Sequence, residues 1–283
     1  MLKDRPSHTA YRVALSRAAH QVLDLPTVLD DPVSLEIIGS QGREEIHANR
    51  TRFQEPLARH LRAFLVARSR LAEEGLGVAL ERGVSQYVVL GAGLDTFAYR
   101  NPYPDAALKV FEVDHPATQG WKRQLLAAAR ISVPQSLAYV PIDFESHNLA
   151  DALRASGFRA DAPAFFSWLG VTMYLEPQAV MDTLRYVLAR PPGSEIVLDY
   201  AVERSESGAA GRSAADVLMQ RAAASGEPWR SFFSPPVLLA ELKAMGFARC
   251  DDFGAEAINS RFFSKRRDRL RVGGAARLMH LRV

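Results

Sequence analysis

Apolar positions in this chain recur with two different periods, and the change of period falls near residue 85. Before it, they repeat at helical spacing. Ala10 to Leu25 carries Val13, Leu15, Ala18, Ala19, Val22 and Leu23 on one stripe, and Pro26 ends that helix. Asp30-Asp31-Pro32 starts a short helix through Ile38, with Gly39 as its stop. Glu44 to Glu74 is a longer helical region broken near Pro56, with Phe53, Leu57, Leu61, Phe64, Leu65 and Leu71 inward. Gly75 and Gly77 are expected to end it, and Val78 to Arg82 leads into the first strand.

Beyond residue 85 the pattern becomes short, nearly continuous apolar runs separated by helical stretches. The runs are Tyr87–Leu90, residues 108–114, Leu137–Ile142, Ala162–Leu169 and Glu195–Tyr200. Helices are predicted over Gln119–Arg130, Ser146–Gly157 and Pro177–Ala189. Strands alternating with helices predict an α/β fold on a mostly parallel sheet buried on both faces. Ala201 to Ser231 is polar and rich in Ala, Gly and Ser, and reads as an inserted lid with a helix over Ala214–Ala224. Ser234-Pro-Pro236 opens another helix to Met245, and residues 247–253 and 275–282 are expected to form a terminal antiparallel hairpin joined by a linker at 258–263. The predicted organisation is a helical cap over 1–82 and a core over 83–283, with the lid at about 201–233. No internal repeat is visible.

Composition adds limits. The chain has 283 residues, 48% hydrophobic and 24% charged, as in ordinary globular proteins. A net charge of +3 is small, and the basic run Lys265 to Arg271 is interrupted by Asp268 and Leu270, so it reads as a solvated face rather than a nucleic-acid site. The single cysteine, Cys250, excludes an internal disulfide and a multi-cysteine metal site. No apolar leader opens the sequence and no run is long enough to span a membrane, so the expected location is the cytoplasm. The seven histidines lack metal-ligand spacing, and no metal is expected.

The candidate chemistry starts at Gln86 to Arg100. The strand ending at Leu90 runs into Gly91-Ala92-Gly93, a turn sharp enough to let a ligand lie against bare main chain, and Asp95 and Thr96 follow as cap residues. Asp114 ends the next strand 21 positions after Gly93, near the offset at which a Rossmann-type site places its ribose-binding carboxylate. Glu112 shares its side of the strand. Asp114 also fits as a cap of the helix starting near Pro116, and the two roles are compatible. Thr96 occupies the place of a third glycine, which argues against NAD or FAD and for a nucleoside ligand without a pyrophosphate, such as S-adenosylmethionine.

GAGLDTFAYR, FEVDHP, a short DF after a strand, and SWLGVTMYL together resemble the leucine carboxyl methyltransferase family over residues 9 to 283. The resemblance implies a class I S-adenosylmethionine-dependent methyltransferase fold, a Rossmann-like sheet with a helical N-terminal cover. It implies cofactor contacts at Gly91, Ala92, Gly93, Asp95 and Asp114, with His115 beside them and more fitted to a structural role. Asp143 is expected near the adenine amino group and Phe144 on the ring, while Leu169 and Gly170 end the fourth strand beside the donor. A basic residue from the cap is expected on the donor's carboxylate; Arg50 and Arg52 match the motif, with Arg17 a weaker third. Many family members carry Glu-Gly where this chain has Leu169-Gly170. The missing glutamate points to a different acceptor pocket and leaves Tyr174 as the polar group for that side; a core tyrosine is the alternative.

Methyl transfer from a sulfonium to a carboxylate needs no general base, and no recognisable His/Asp or Ser/His/Asp constellation is present. The expected activity is O-methylation of a small-molecule carboxylate, with a metabolite rather than nucleic acid or membrane as partner. A hydroxyl acceptor, a non-catalytic nucleoside-binding module and an NAD-dependent oxidoreductase are the other readings.

Overall fold

The computed structural model describes residues 7–104, 107–142, 148–206 and 208–283. Five helices come first: α1 (His8–Leu23), α2 (Pro32–Ile37), α3 (Gly39–Ala48), α4 (Arg50–Phe53) and α5 (Pro56–Glu81). Ser7 caps α1 by accepting from the Ala10 amide, and Asp31 caps α2 by accepting from Ser34 at 3.2 Å. Gly39 stops α2, as the sequence predicts, and opens α3, because its φ of +68° turns the chain between the two helices without steric cost.

Seven strands follow, β1 (Gln86–Leu90), β2 (Lys109–Asp114), β3 (Leu137–Pro141), β4 (Phe165–Trp168), β5 (Glu195–Ala201), β6 (Arg249–Phe253) and β7 (Ala276–Arg282). They form one sheet in the order β3-β2-β1-β4-β5-β7-β6. The first five pair in parallel, and β7 lies antiparallel to both β5 and β6. The remaining helices are α6 (Pro116–Ala128), α7 (Leu149–Ala155), α8 (Pro177–Leu188), α9 (Ala209–Ala224), α10 (Pro235–Met245) and α11 (Ala255–Phe262). The expected linker at 258–263 is therefore largely helical. Between β1 and β2 the stretch after Asp95 and Thr96 forms one 3-10 turn, Phe97–Tyr99. Pro102 and Pro104 follow closely and cannot extend it.

α5 continues through Gly75 and Gly77, where the pattern predicted an end. A Cβ on Gly75 would lie 3.0 Å from the Phe165 ring, and one on Gly77 2.9 Å from the Tyr103 hydroxyl. Close approach to the rest of the fold outweighs the weak helix propensity of glycine here.

Alternation along the strands divides the core into two layers. Val88, Leu90, Phe111, Phe166 and Trp168 pack with Leu184 of α8 and Leu242 of α10. Tyr87, Val89, Val110 and Phe165 face Leu71 and Leu76 of α5 and Ile258 of α11. A third cluster, including Ala18, Ile37, Ile46 and Leu126, joins α1, α2, α3 and α6. Among the described residues no helix is long and apolar enough to cross a membrane.

Candidate active site

The carboxyl ends of β1, β2 and β4 meet on one edge of the sheet, where open α/β folds gather their ligands. β1 exits into Gly91-Ala92-Gly93, with φ +67° at Gly91 and +50° at Gly93. The amides of Gly91 and Ala92 donate to the Val113 carbonyl at 2.8 and 3.0 Å, fastening the turn to β2. Asp114, 5% exposed, accepts from the Gly93 amide with one oxygen and from the His115 amide at 2.6 Å with the other. Burial pushes its carboxyl above the usual carboxylate range, against the pull of those two donors. The helix-capping role open to Asp114 falls to His115, whose Nδ1 accepts from the Ala117 amide.

Gly91 serves a purpose other than leaving room for a ligand. A Cβ there would stand 2.3 Å from Val171 Cγ2, in the loop after β4. The glycine lets two loops touch, in a left-handed conformation that other residues rarely adopt. Gly170, φ +75°, plays the same part beside Arg68: a Cβ would stand 2.8 Å from either terminal guanidinium nitrogen.

Ten of the residues singled out from the sequence line a single cavity of about 200 Å³: Arg17, Gly91, Ala92, Gly93, Asp95, Asp114, His115, Leu169, Gly170 and Tyr174. Asp143 and Phe144 lie outside the described residues; Ile142, just before them, lines the cavity. Glu112 takes no part, being buried in an ion pair with Lys122 at 2.6 Å.

The arginines sort differently from their sequence ranking. Arg50 is exposed on α4 and lines no described cavity, and Arg52 borders a second cavity instead. Arg17 lines the first cavity, but its terminal nitrogens are taken by Asp95 at 2.9 Å, Thr96 at 2.9 Å and Asp31 at 2.7 Å. Arg68 is a buried cation that sequence reasoning did not single out. It lies buried on α5, donates from one nitrogen to Asp199 at 2.7 Å, and forms wall common to both cavities. Its signal was present in the row Leu61, Phe64, Leu65, Arg68, Leu71, where a charge interrupts an apolar helical stripe.

The second cavity, about 460 Å³, shares Thr9, Val13, Arg68, Gly170 and Tyr174 with the first. Burial raises the pKa of Tyr174, so its phenol stays protonated across the physiological range. Thr9 donates to Glu227 in the segment after α9, and the Arg230 amide donates to the Met173 carbonyl at 2.6 Å. These bonds join the segment after α9 to α1 and to the loop after β4. Among the described residues no cluster of His, Cys, Asp and Glu could hold a metal ion.

The whole chain resembles solved structures at the level of fold. One is a provisionally named methyltransferase from Thermobifida fusca YX, with TM-score 0.55 and 18% identity, covering 99% of this chain and 96% of that one. Another is a DUF574 family protein from Streptomyces avermitilis, with TM-score 0.54 and 18% identity, covering 98% and 97%. A Bacillus subtilis (strain 168) protein, named provisionally as an S-adenosyl-L-methionine-dependent methyltransferase, is 33% identical over 95% of each chain. The leucine carboxyl methyltransferase family model matches residues 10–188, which include the glycine turn, Asp114 and the loop after β4. With that match and that relative, the chain belongs to the leucine carboxyl methyltransferase family and is an S-adenosylmethionine-dependent methyltransferase.

Proposed function

We propose that the protein methylates a carboxylate of a small molecule, with donor and acceptor meeting across the wall that the two cavities share. The donor set of the smaller cavity fits S-adenosylmethionine: a buried carboxylate at the tip of β2 for ribose hydroxyls, glycine main chain beside it, and Arg68 for the amino-acid carboxylate. S-adenosylmethionine supplies an electrophilic methyl group on a sulfonium and leaves as a neutral thioether. Helices from residues 1–82 cover the core of residues 83–283, and the lid near 201–233 closes the remaining side.

The acceptor class rests on one observation, that among the described residues the shared wall, formed by Thr9, Val13, Arg68, Gly170 and Tyr174, holds no base. Tyr174 stays protonated and Arg68 is a cation. Asp199, in the larger cavity, has one oxygen on Arg68 and the other on the Gly170 amide at 2.5 Å. Glu227, in the smaller one, is engaged by Thr9. A hydroxyl acceptor would have to lose a proton as it reacts; a carboxylate arrives ionised, with a pKa of about 4, and needs only positioning and desolvation. The Tyr174 phenol supplies a donor for that positioning.

Incubation of the protein with methyl-labelled S-adenosylmethionine and a cell extract tests this. The labelled product is expected to release labelled methanol on mild alkaline hydrolysis, as methyl esters do. A base-stable product would instead place the methyl group on a hydroxyl.

A further inference from the structure

Arg52 borders the larger cavity, and the residues around it describe what that cavity takes. We infer that the acceptor is an elongated, largely apolar molecule, methylated at one end and carrying a second anionic group at the other, where it meets Arg52. This rests on the reading of the smaller cavity as the S-adenosylmethionine site.

Length comes from α5. The cavity follows this helix from Leu57 to Arg68, which at 1.5 Å per residue is about 16 Å along the axis. The walls over that stretch are apolar, with Leu61, Phe64 and Leu65 on α5 facing Leu15, Met173 and Leu218. His60 lies partway along, and burial, then Arg271 and Arg59, hold its pKa below the usual imidazole value. It is therefore neutral at physiological pH, and among the described residues the α5 wall from Leu57 to Leu65 carries no charge. At the inner end Asp199 is neutralised by Arg68. A chamber of this shape suits an apolar body and penalises a polar one.

The mouth differs. Its exposed residues include Arg12, Arg52 and Arg221, against a single acid, Glu45, and the neutral Asn49. Among the described residues no ion pair holds any of the three arginines. Arg52 sits on α4, just before α5 begins, at the end away from Arg68. An excess of unpaired guanidinium groups at the rim favours an anion there. Methylation at the inner end leaves that outer anion untouched, so it anchors substrate and product alike.

The test is calorimetry on protein loaded with S-adenosylhomocysteine, using a length series of straight-chain α,ω-dicarboxylic acids and the monocarboxylic acids of matching length. The best dicarboxylate is expected to bind about five-fold or more tightly than its monocarboxylate partner, with a steeper loss on adding salt. Arg52→Glu should abolish that advantage while leaving S-adenosylhomocysteine affinity unchanged. Leu61→Trp should shift the optimum to a shorter chain. Equal binding of the two classes, no binding of either, or a dicarboxylate preference that survives Arg52→Glu overturns the inference. Failure to bind S-adenosylhomocysteine, read in the loading step, strikes the cofactor reading beneath it.

Discussion

Asp114 and Gly91 sit a few ångströms apart in function but belong to different physical problems. Asp114 is a buried carboxylate whose two oxygens receive the Gly93 and His115 amides, and whose remaining lone pairs face the smaller cavity. Asp114→Ala should weaken S-adenosylhomocysteine binding by about 10- to 100-fold in calorimetry, the cost of an unmade pair of hydrogen bonds, ~1–3 kcal/mol. Gly91→Ala should act on the fold instead. Its Cβ would press on Val171 from a backbone that disfavours any side chain, so the expected loss is about 1–3 kcal/mol of stability, read by denaturant unfolding. Val171→Ala in the same chain should return part of that loss but not the part due to φ. An unaltered midpoint in Gly91→Ala would refute the loop-contact role. Spacing alone could bring these two residues to one place on the sheet. It could not say that the glycine meets a valine 80 residues further on.

At the scale of elements, the end of α1 is clasped to α5 through buried charge. Arg62 donates to both oxygens of Asp24 at 2.5 and 2.9 Å, and His20 Nδ1 lies 3.0 Å from the same carboxylate. Burial alone would raise the Asp24 pKa, but Arg62 and His20 outweigh it and bring it from 3.8 down to about 2. An acid depressed in the folded state adds stability above its unfolded pKa and loses it as pH falls toward the folded one. The clasp is therefore complete above pH 3.8 and fades between there and about pH 2. Asp24→Ala leaves a buried guanidinium unpaired and should cost about 3–5 kcal/mol at neutral pH, with a flatter acid limb in urea titrations below pH 4. A loss under 1 kcal/mol would mean water replaces the carboxylate. The elements themselves were largely visible as changes in apolar period, including the terminal antiparallel pair. The misplaced end of α5 has one cause: glycines at 75 and 77 were read by local propensity, whereas their place inside the helix is decided by close packing.

For the whole molecule, the decisive feature is that α1 and the segment after α9 meet over the same edge of the sheet. Thr9 is held to Glu227, and both line the smaller cavity. Thr9→Val keeps the shape and removes the bond, so S-adenosylhomocysteine release should quicken about five-fold, corresponding to ~1 kcal/mol, with little change in thermal midpoint. Stopped-flow displacement would measure this; an unchanged rate would mean the bond does not gate the cavity.

The sequence by itself determined the α/β alternation, the glycine turn, the acid at the tip of β2 and the family resemblance, because each is set by period or short spacing along the chain. Only the tertiary structure decided which arginines line the smaller cavity and what already holds them. Arg17, Arg50, Arg52 and Arg68 look alike in a string of letters. Their fates depend on partners far away in the chain: Asp95 and Thr96 for Arg17, Asp199 for Arg68, and solvent for Arg50 and Arg52. A guanidinium's role follows from what already holds it, and that is fixed by packing between elements.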